Sequence, residues 1–337
     1  MTEGVYFSFV EQALHYFTRP HEYVASEPVQ VDAAWRGGQM PSLEQMAYRL
    51  NAVEKAEILT AVRNAAALDK NTRSLTAADF PLPTLERQIA QWRDTLAGGL
   101  GFQVIRGVPV DRWTQEETEL FFWCFGLHLG KPGEQNPEGH LLGHVIDTGE
   151  AKQDSSARLY KTSANIDYHC DVADVVGLLC LKKAKEGGHS RIASSVTVFN
   201  ELLNRRPDLA ARLFEPMNLD IRDREVNAEG STLPIQPCCY AQGVLRTFYH
   251  ADYFRSVVRH DDIDALDATE QALLDTYDEI ALEPDIYLDM DLEPGDIQLL
   301  SNHTVVHART DYVDHDDPAE RRHLLRLWLS LEDVETE

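Results

Sequence analysis

The chain has 337 residues, of which 43% are hydrophobic and 26% are charged. This length accommodates one large domain or two small ones, and the balance is typical of a soluble globular protein. The formal net charge of −25 disfavours nucleic acids and anionic membranes as partners, because both bind positively charged surfaces.

Cysteine usage and the N-terminus indicate the compartment. No apolar run approaches the length of a membrane span, and residues 1–6 lack the basic and apolar parts of a secretory signal. The cysteines are odd in number and form no C-x-x-C motif, so a disulfide framework is not expected. They are Cys124, Cys170, Cys180, Cys238 and Cys239. We therefore expect a cytoplasmic protein without nucleic-acid or membrane partners, and homo-oligomerisation stays open.

The N-terminal third is predicted to be an arm followed by helices. Residues 1–40 contain aromatic and proline residues without a clear period, which indicates a meandering arm. Capping residues and helical periodicity then predict helices over residues 42–50, 52–68 and 84–97, and another that starts after Thr114. Between the last two helices, residues 101–106 predict a strand.

After residue 130 the pattern changes to short strands with two helical insertions. The insertions are predicted over residues 197–213 and 263–282. The strands are predicted over residues 175–182, 189–194, 219–224, 234–240, 244–250, 286–290, 297–301, 304–309 and 324–330. Many short strands with scattered helices indicate a mainly β protein with a closed or double-sheet architecture.

A pair of metal-binding side chains lies in the middle of the chain. His169 and Asp171 form an H-x-D pair. In an extended segment, residues i and i+2 face the same side, so the imidazole and the carboxylate would converge on one point. The pair alone is weak evidence for a metal site, because many such pairs are surface coincidences.

The late strand supplies two further histidines, His303 and His307. Both would face the same side of a strand, so periodicity does not decide which of them joins the pair. The run Thr304-Val305-Val306 favours a strand over a helix that would space them for zinc. Arginines follow at Arg321, Arg322 and Arg326. Two imidazoles, one carboxylate and an anion-binding arginine are the set used by non-haem Fe(II) oxygenases.

These motifs, in this order, resemble the taurine-dioxygenase-like (TauD/TfdA, clavaminate-synthase-like) family of Fe(II)/2-oxoglutarate-dependent dioxygenases. The resemblance covers roughly residues 95–330 and includes Gly101–Pro109, Tyr168–Asp171, Gly187–Ser190, Pro294–Asp296, Asn302–Arg309 and the Arg322/Arg326 pair. It implies a double-stranded β-helix, or jelly-roll, core over residues 86–337, with residues 1–85 packed on its outside. It also implies Fe(II) as cofactor, with 2-oxoglutarate and O2 as co-substrates.

The resemblance also implies individual roles. His169, Asp171 and His307 would be the catalytic metal ligands, because the family's distal ligand precedes a small residue and then Arg or Ser. His303 would lie in the neighbouring wall or in the core. The co-substrate would be bound by Arg322 at its far carboxylate, by Arg326 nearby and by the Ser190 hydroxyl. His189 departs from the family's usual Asp in that turn.

The substrate side is the least defined part of the sequence. Asn165 and Tyr168 occupy positions that can face the substrate, although each has an equally good structural interpretation. The expected reaction is oxidation of an unactivated C–H bond of a small molecule, with hydroxylation as the default and desaturation or cyclisation as variants. Two alternatives remain from the residues themselves: a zinc-type metal hydrolase on the same ligands, and a non-catalytic β-barrel binding protein.

Overall fold

The computed structural model describes residues 6–68, 70–136, 138–148, 162–221 and 232–331. Within these residues the α-helices are Phe9–Phe17 (α1), Leu43–Met46 (α2), Ala52–Ala66 (α3), Glu86–Gly98 (α4), Gln115–Leu129 (α5), Ser195–Arg205 (α6), Pro207–Arg212 (α7), Ala251–Arg255 (α8) and Ala268–Ala281 (α9).

The strands of the described residues are distributed along the chain between these helices. They are Tyr48–Arg49 (β1), Phe102–Arg106 (β2), Lys131–Gly133 (β3), Leu142–Val145 (β4), Ile166–His169 (β5), Val175–Lys182 (β6), Glu186–Gly187 (β7), Ser190–Ser194 (β8), Met217–Asp220 (β9), Thr232–Ile235 (β10), Cys238–Ala241 (β11), Val244–Thr247 (β12), Tyr287–Met290 (β13), Ile297–Ser301 (β14), Val305–Arg309 (β15), Tyr312–Val313 (β16) and His323–Ser330 (β17).

Two main sheets organise the protein. The major sheet has seven strands in the order β1-β2-β14-β6-β17-β3, with β4 also paired to β17, and the minor sheet has the order β13-β8-β15-β5. All pairings in both sheets are antiparallel except that of β1 with β2. Since neighbouring strands come from distant parts of the chain, the sheets are assembled by long-range contacts.

The two sheets pack face to face, and helices cover their outer faces. Side chains from both sheets, such as Val176 and Leu324 of the major sheet and Ile192 and Val305 of the minor sheet, share one buried core. A second core joins α3, α4 and α5 to the major sheet, and a third joins α6, α7 and α9 to the minor sheet. The result is a four-layer, sheet-rich fold with helices, in agreement with the predicted mainly β class.

Some predicted elements differ in the structure. The helix predicted over residues 42–50 is shortened to α2, because Tyr48 and Arg49 instead pair in parallel with Ile105 and Arg106. The predicted helical insertion 197–213 divides at Pro207, which has no N–H to continue a helical ladder. Of the strand predicted over 219–224, residues 222–224 lie outside the described residues.

Two helix starts also differ from expectation. Residues 9–17, predicted as part of a meandering arm, form α1, whose capping box is made by Ser8 and Glu11. Thr84, predicted as a helix cap, instead donates its backbone N–H to Glu57 of α3 at 2.9 Å, and α4 begins two residues later. The Ser8-x-x-Glu11 spacing was a signal for α1 in the sequence.

A close contact between α5 and the major sheet gives a stability test. A Cβ added at Gly126 would lie 2.2 Å from Leu327 Cδ2 of β17, whereas one added at Gly98 would meet nothing within 4 Å. We expect Gly126→Val to lower the free energy of unfolding by about 1–3 kcal/mol through overpacking. Gly98→Ala, the control, should change it by less than about 1 kcal/mol. Denaturant unfolding measures both, and equal effects would contradict the tight α5 contact.

Candidate active site

The pairing of β5 with β15 brings the predicted metal ligands together. His307 of β15 lies opposite His169 of β5 in the ladder, and Asp171 follows two residues after His169. The ring centroids of the two histidines are 4.2 Å apart, and His307 Nε2 lies 3.8 Å from Asp171 Oδ2. One ligand atom from each of the three residues lies within 4.8 Å of the others. Among the described residues, no other group of three or more His, Cys, Asp or Glu side chains has that spacing.

The electrostatics of these three side chains suit a cation. Burial raises the pKa of Asp171, but the charge of Arg326, with smaller effects from both histidines, holds it below its ordinary value. Burial, aided by His169, lowers the pKa of His307 to about 3, so its imidazole is neutral and able to bind a metal at neutral pH. Asp171 Oδ2, which faces His307 Nε2, is buried without a hydrogen-bond partner among the described residues. A divalent metal bound between the three side chains would satisfy this oxygen.

The ring of His169 is oriented by its own strand. Its Nδ1 lies 2.9 Å from the backbone carbonyl oxygen of Asp167, to which it can donate a hydrogen bond. That bond selects the tautomer with an unprotonated Nε2, and metal-binding histidines commonly use such an outer bond to fix ring orientation.

The turn that carries Asp171 is held by Asn302, a fully buried side chain at the end of β14. Asn302 Oδ1 accepts from the Asp171 N–H, and its Nδ2 donates to the Ala173 carbonyl oxygen, both at 2.9 Å. Tyr16 of α1 donates its hydroxyl to the Asn302 carbonyl oxygen at 2.9 Å. The N-terminal helix therefore supports the carboxylate of the site through one intermediate residue.

His303, the other histidine of the late segment, lies outside the metal-binding group. Its Nε2 is 2.8 Å from Asp174 Oδ1, and its ring stacks on Tyr16 with centroids 4.7 Å apart. The other carboxylate oxygen of Asp174 lies 2.8 Å from His15 Nε2 of α1. His303 is therefore a hydrogen-bonded histidine packed against the N-terminal helix.

Two of the predicted arginines differ in their surroundings. Arg326 of β17 donates from Nε to Gln135 at 2.8 Å and from Nη1 to Asp171 Oδ1 at 3.3 Å. Arg322 lies just before β17, is 6% exposed, and has a buried Nη1 without a hydrogen-bond partner in the described structure. Burial holds the pKa of Arg322 below its ordinary value. Arg326 thus contacts the carboxylate of Asp171, whereas Arg322 keeps one buried guanidinium nitrogen without a hydrogen-bond partner in the described structure.

The Gly-Gly turn before β8 lies against Arg322. Gly187 and Gly188 have φ of 74° and 72°, a left-handed backbone that glycine adopts without strain. A Cβ added at Gly188 would come within 3.0 Å of the Arg322 guanidinium, so only glycine leaves room for it. Ser190, the next predicted contact, donates its hydroxyl to Gln298 Oε1 at 2.8 Å and can still accept a hydrogen bond.

The two predicted substrate residues lie apart from each other. Asn165 is exposed, and its amide donates to Asp167 at 2.6 Å. Tyr168 alternates to the opposite side of β5 from His169 and is buried in the core beneath the minor sheet. This burial favours a structural role for Tyr168 over contact with the substrate.

Three residues of the site region were not singled out from the sequence. His250 forms an isolated backbone bridge with His169, and their ring centroids are 5.2 Å apart. Asn302 and Arg309 were identified only as parts of a motif. Asn302 carried a signal, an asparagine between two predicted strands and five residues before a predicted ligand, whereas nothing local predicts where the side chains of His250 and Arg309 lie.

Comparison with known proteins agrees with this fold. The model of the family described as "Taurine catabolism dioxygenase TauD, TfdA family" matches residues 67–328. The chain is 32% identical to FR-33289 synthase of Streptomyces rubellomurinus over 92% of each protein. It is 27% identical to the taurine hydroxylase-like protein SAT17 of Stachybotrys chartarum, over 88% of this chain and 78% of the relative.

Solved structures share the fold at low sequence identity. Asparagine oxygenase in complex with Fe(II), hydroxyasparagine and succinate gives a TM-score of 0.67 at 16% identity, over 85% of this chain and 93% of that one. The non-haem iron oxygenase OrfP with Fe and α-ketoglutaric acid gives 0.64 at 16% identity, over 85% and 94%.

The fold and the site define an iron- and 2-oxoglutarate-dependent oxygenase. The chain belongs to the TauD/TfdA dioxygenase family. It uses Fe(II), 2-oxoglutarate and O2 to oxidise a small molecule, with release of succinate and CO2. The family assignment decides against the zinc hydrolase and the non-catalytic binding protein. No helix among the described residues is both long and apolar enough to cross a membrane.

The Asn302 contacts give a test of how the carboxylate ligand is held. Asn302→Ala leaves the Asp171 N–H and the Ala173 carbonyl without partners, so we expect a loss of stability of about 2 kcal/mol or more. Metal affinity should fall by about 10–100-fold, as is typical when an outer contact of a ligand is removed. Calorimetric titration with Mn(II) measures that affinity, and exposed Asn165→Ala is the control. Unchanged metal affinity in Asn302→Ala would limit Asn302 to a stabilising role.

Proposed function

We propose that His169, Asp171 and His307 bind the catalytic Fe(II) of this oxygenase. The observation that carries the assignment is the convergence of their ligand atoms, among which Asp171 Oδ2 is buried without a hydrogen-bond partner in the described structure. Three protein ligands leave positions open for co-substrate and O2, and the bound iron would supply the oxidising chemistry. The side chains of the protein would bind the iron, orient the reactants and exclude water.

In this proposal, the co-substrate is oriented by a buried arginine and a serine hydroxyl. Arg322 pairs with the far carboxylate of 2-oxoglutarate, and the Ser190 hydroxyl is a second contact. Burial of Arg322 without a partner for Nη1 supports this role, because a buried guanidinium requires an anion. Arg326 lies closer to the metal, where its contact with Asp171 keeps that carboxylate charged and in place.

The substrate is proposed to be a small molecule that is hydroxylated at an unactivated C–H bond. Structural relatives have been solved in complex with amino-acid derivatives, asparagine oxygenase with 3-hydroxyasparagine and OrfP with (3S)-hydroxy-L-arginine, which supports a small-molecule substrate. Asn165 and His250 are candidates for its contacts, because Asn165 is exposed beside β5 and His250 adjoins His169. Arg326 is a candidate for an anionic group of the substrate near the metal.

The finer features of the fold are proposals as well. We propose that the two sheets, apart from β1 at the edge of the major sheet, are the halves of a jelly-roll core within residues 86–337 and that residues 1–85 pack on its outside. The shared core between the sheets and the packing of α3 against α5 and the major sheet support this division. We also propose a cytoplasmic location, supported by the cysteines, all five of which are free and buried.

Substitution of the two late histidines tests the metal assignment. We expect His307→Ala to remove most bound iron and all succinate formation coupled to substrate, because it removes a ligand. His303→Ala should retain iron and activity, although loss of its Asp174 contact should lower stability. Iron content after reconstitution and succinate release measure the two effects. The reverse result would show that His303 is the ligand.

Substitution of the two arginines tests the co-substrate assignment. Truncating one partner of a buried charged pair costs about 2–5 kcal/mol, so Arg322→Ala should raise the KM for 2-oxoglutarate by at least about tenfold. Iron content should change little, since no ligand is touched. If Arg326→Ala raises this KM while Arg322→Ala does not, the two roles are exchanged. If neither raises it, the far carboxylate is bound elsewhere.

A further inference from the structure

Arg309 is a buried arginine to which the proposed function gives no role. It lies two residues after His307 on β15, opposite Ser190 of β8, and is 5% exposed. Its Nη2 donates to the carbonyl oxygen of Thr162 at 2.7 Å and to that of Ala164. Its Nε and Nη1 are buried and have no hydrogen-bond partner in the part of the chain that the structure describes. One guanidinium nitrogen therefore donates to backbone carbonyl oxygens, and the other two have no hydrogen-bond partner in the described structure.

A second buried cation lies next to it. The guanidinium carbons of Arg309 and Arg322 lie 4.8 and 5.2 Å from the centroid of the same ring, that of Tyr312. Two acidic side chains also act on this pair: Asp147 on Arg309, and Asp314 on Arg322. Asp314 already accepts the backbone N–H of Arg322 at 2.8 Å. Two like charges that share one ring repel each other, and a bound anion would offset that repulsion.

The backbone held by Arg309 connects this cluster to the metal ligands. Residues 162–164 lead into β5, which carries His169, and the Ser163 carbonyl oxygen accepts the Tyr312 N–H at 3.1 Å. Arg309 and Tyr312 thus hold the same three residues from two sides. A change at Arg309 would displace the ring that Arg322 packs against.

We propose that Arg309 is a positioning residue for 2-oxoglutarate. It keeps Tyr312 and residues 162–164 in place so that Arg322 meets the far carboxylate, and its charge adds to the attraction for that group. This inference rests on the proposed function, because it assumes that 2-oxoglutarate binds at Arg322. A purely structural role would not depend on the charge of the ligand, which gives the means to distinguish the two.

The experiment compares two ligands on iron-loaded protein in the absence of oxygen. Calorimetric titration with 2-oxoglutarate is set beside titration with 2-oxovalerate, which has the same chain length and a methyl group instead of the far carboxylate. For Arg309→Met we expect the affinity for 2-oxoglutarate to fall by about tenfold or more. The affinity for 2-oxovalerate should change by less than about twofold, since less than about 0.4 kcal/mol is then at stake.

Two further variants make the result decisive. Arg309→Lys keeps the charge without the planar fork, so its loss for 2-oxoglutarate should be smaller than that of Arg309→Met. This variant also gives the test if Arg309→Met does not fold. Arg191→Met is the matched control: Arg191 lies on β8, packs on Tyr287 at 3.9 Å and pairs with Asp289. Its substitution should leave both affinities unchanged.

Three outcomes would overturn the proposal. An equal loss for both ligands would make Arg309 a structural clamp only. No loss in the Arg309 variants, with a loss in Arg322→Ala, would remove Arg309 from co-substrate binding and leave the proposed function intact. No loss in either set would show that the far carboxylate is bound elsewhere, and the co-substrate assignment would then fall together with this inference.

Discussion

The antiparallel pairing of β5 with β15 is the interaction on which the site depends. It places His169 directly opposite His307, and Asp171 then reaches the same point from just beyond the end of β5. A register shift of one residue would turn one histidine toward the opposite face of the sheet. The register is protected because β15 also pairs with β8 over five residues, and side chains of both strands are buried between the sheets. The three predicted metal ligands are therefore as fixed as the core itself.

The second constraint is the distribution of buried charge. The carboxylate of Asp171 is the acidic member of the group that converges with His169 and His307, whereas Arg326 contacts that carboxylate and the buried Arg309 and Arg322 pack on the ring of Tyr312. Buried charges are expensive unless they are paired, so this region is suited to a metal at one end and an anion at the other. A dicarboxylate that binds the metal through its 2-oxo acid end and a guanidinium at its far end meets both demands.

The outer layers contribute to the site as well as to stability. Helix α1 reaches the turn of Asp171 through Tyr16 and Asn302, and it reaches Asp174 through His15. This helix precedes the segment matched by the family model, which begins at residue 67. The site is therefore secured in part by a helix that lies outside the segment matched by the family model.

Much of the class and chemistry could be predicted from the sequence. The alternation of short strands indicated a mainly β protein, and the H-x-D pair, the late histidines and the following arginines indicated an iron oxygenase, because spacing within one strand determines which side chains share a face. Local patterns also predicted α3, α5 and most strands. In contrast, periodicity left His303 and His307 equivalent, and the family resemblance was needed to choose between them.

Only the tertiary structure decided the remaining features, and each of them depends on contacts between distant segments. Tyr48 and Arg49 are a strand because β2 is beside them, and Thr84 does not cap a helix because Glu57 binds it. His303 is bound by Asp174 and Tyr16, and Arg309 meets Tyr312 and the backbone of residues 162–164. Local sequence sets which conformations and faces are available, whereas partners across the fold select among them, because their contribution to stability exceeds the small differences in local propensity.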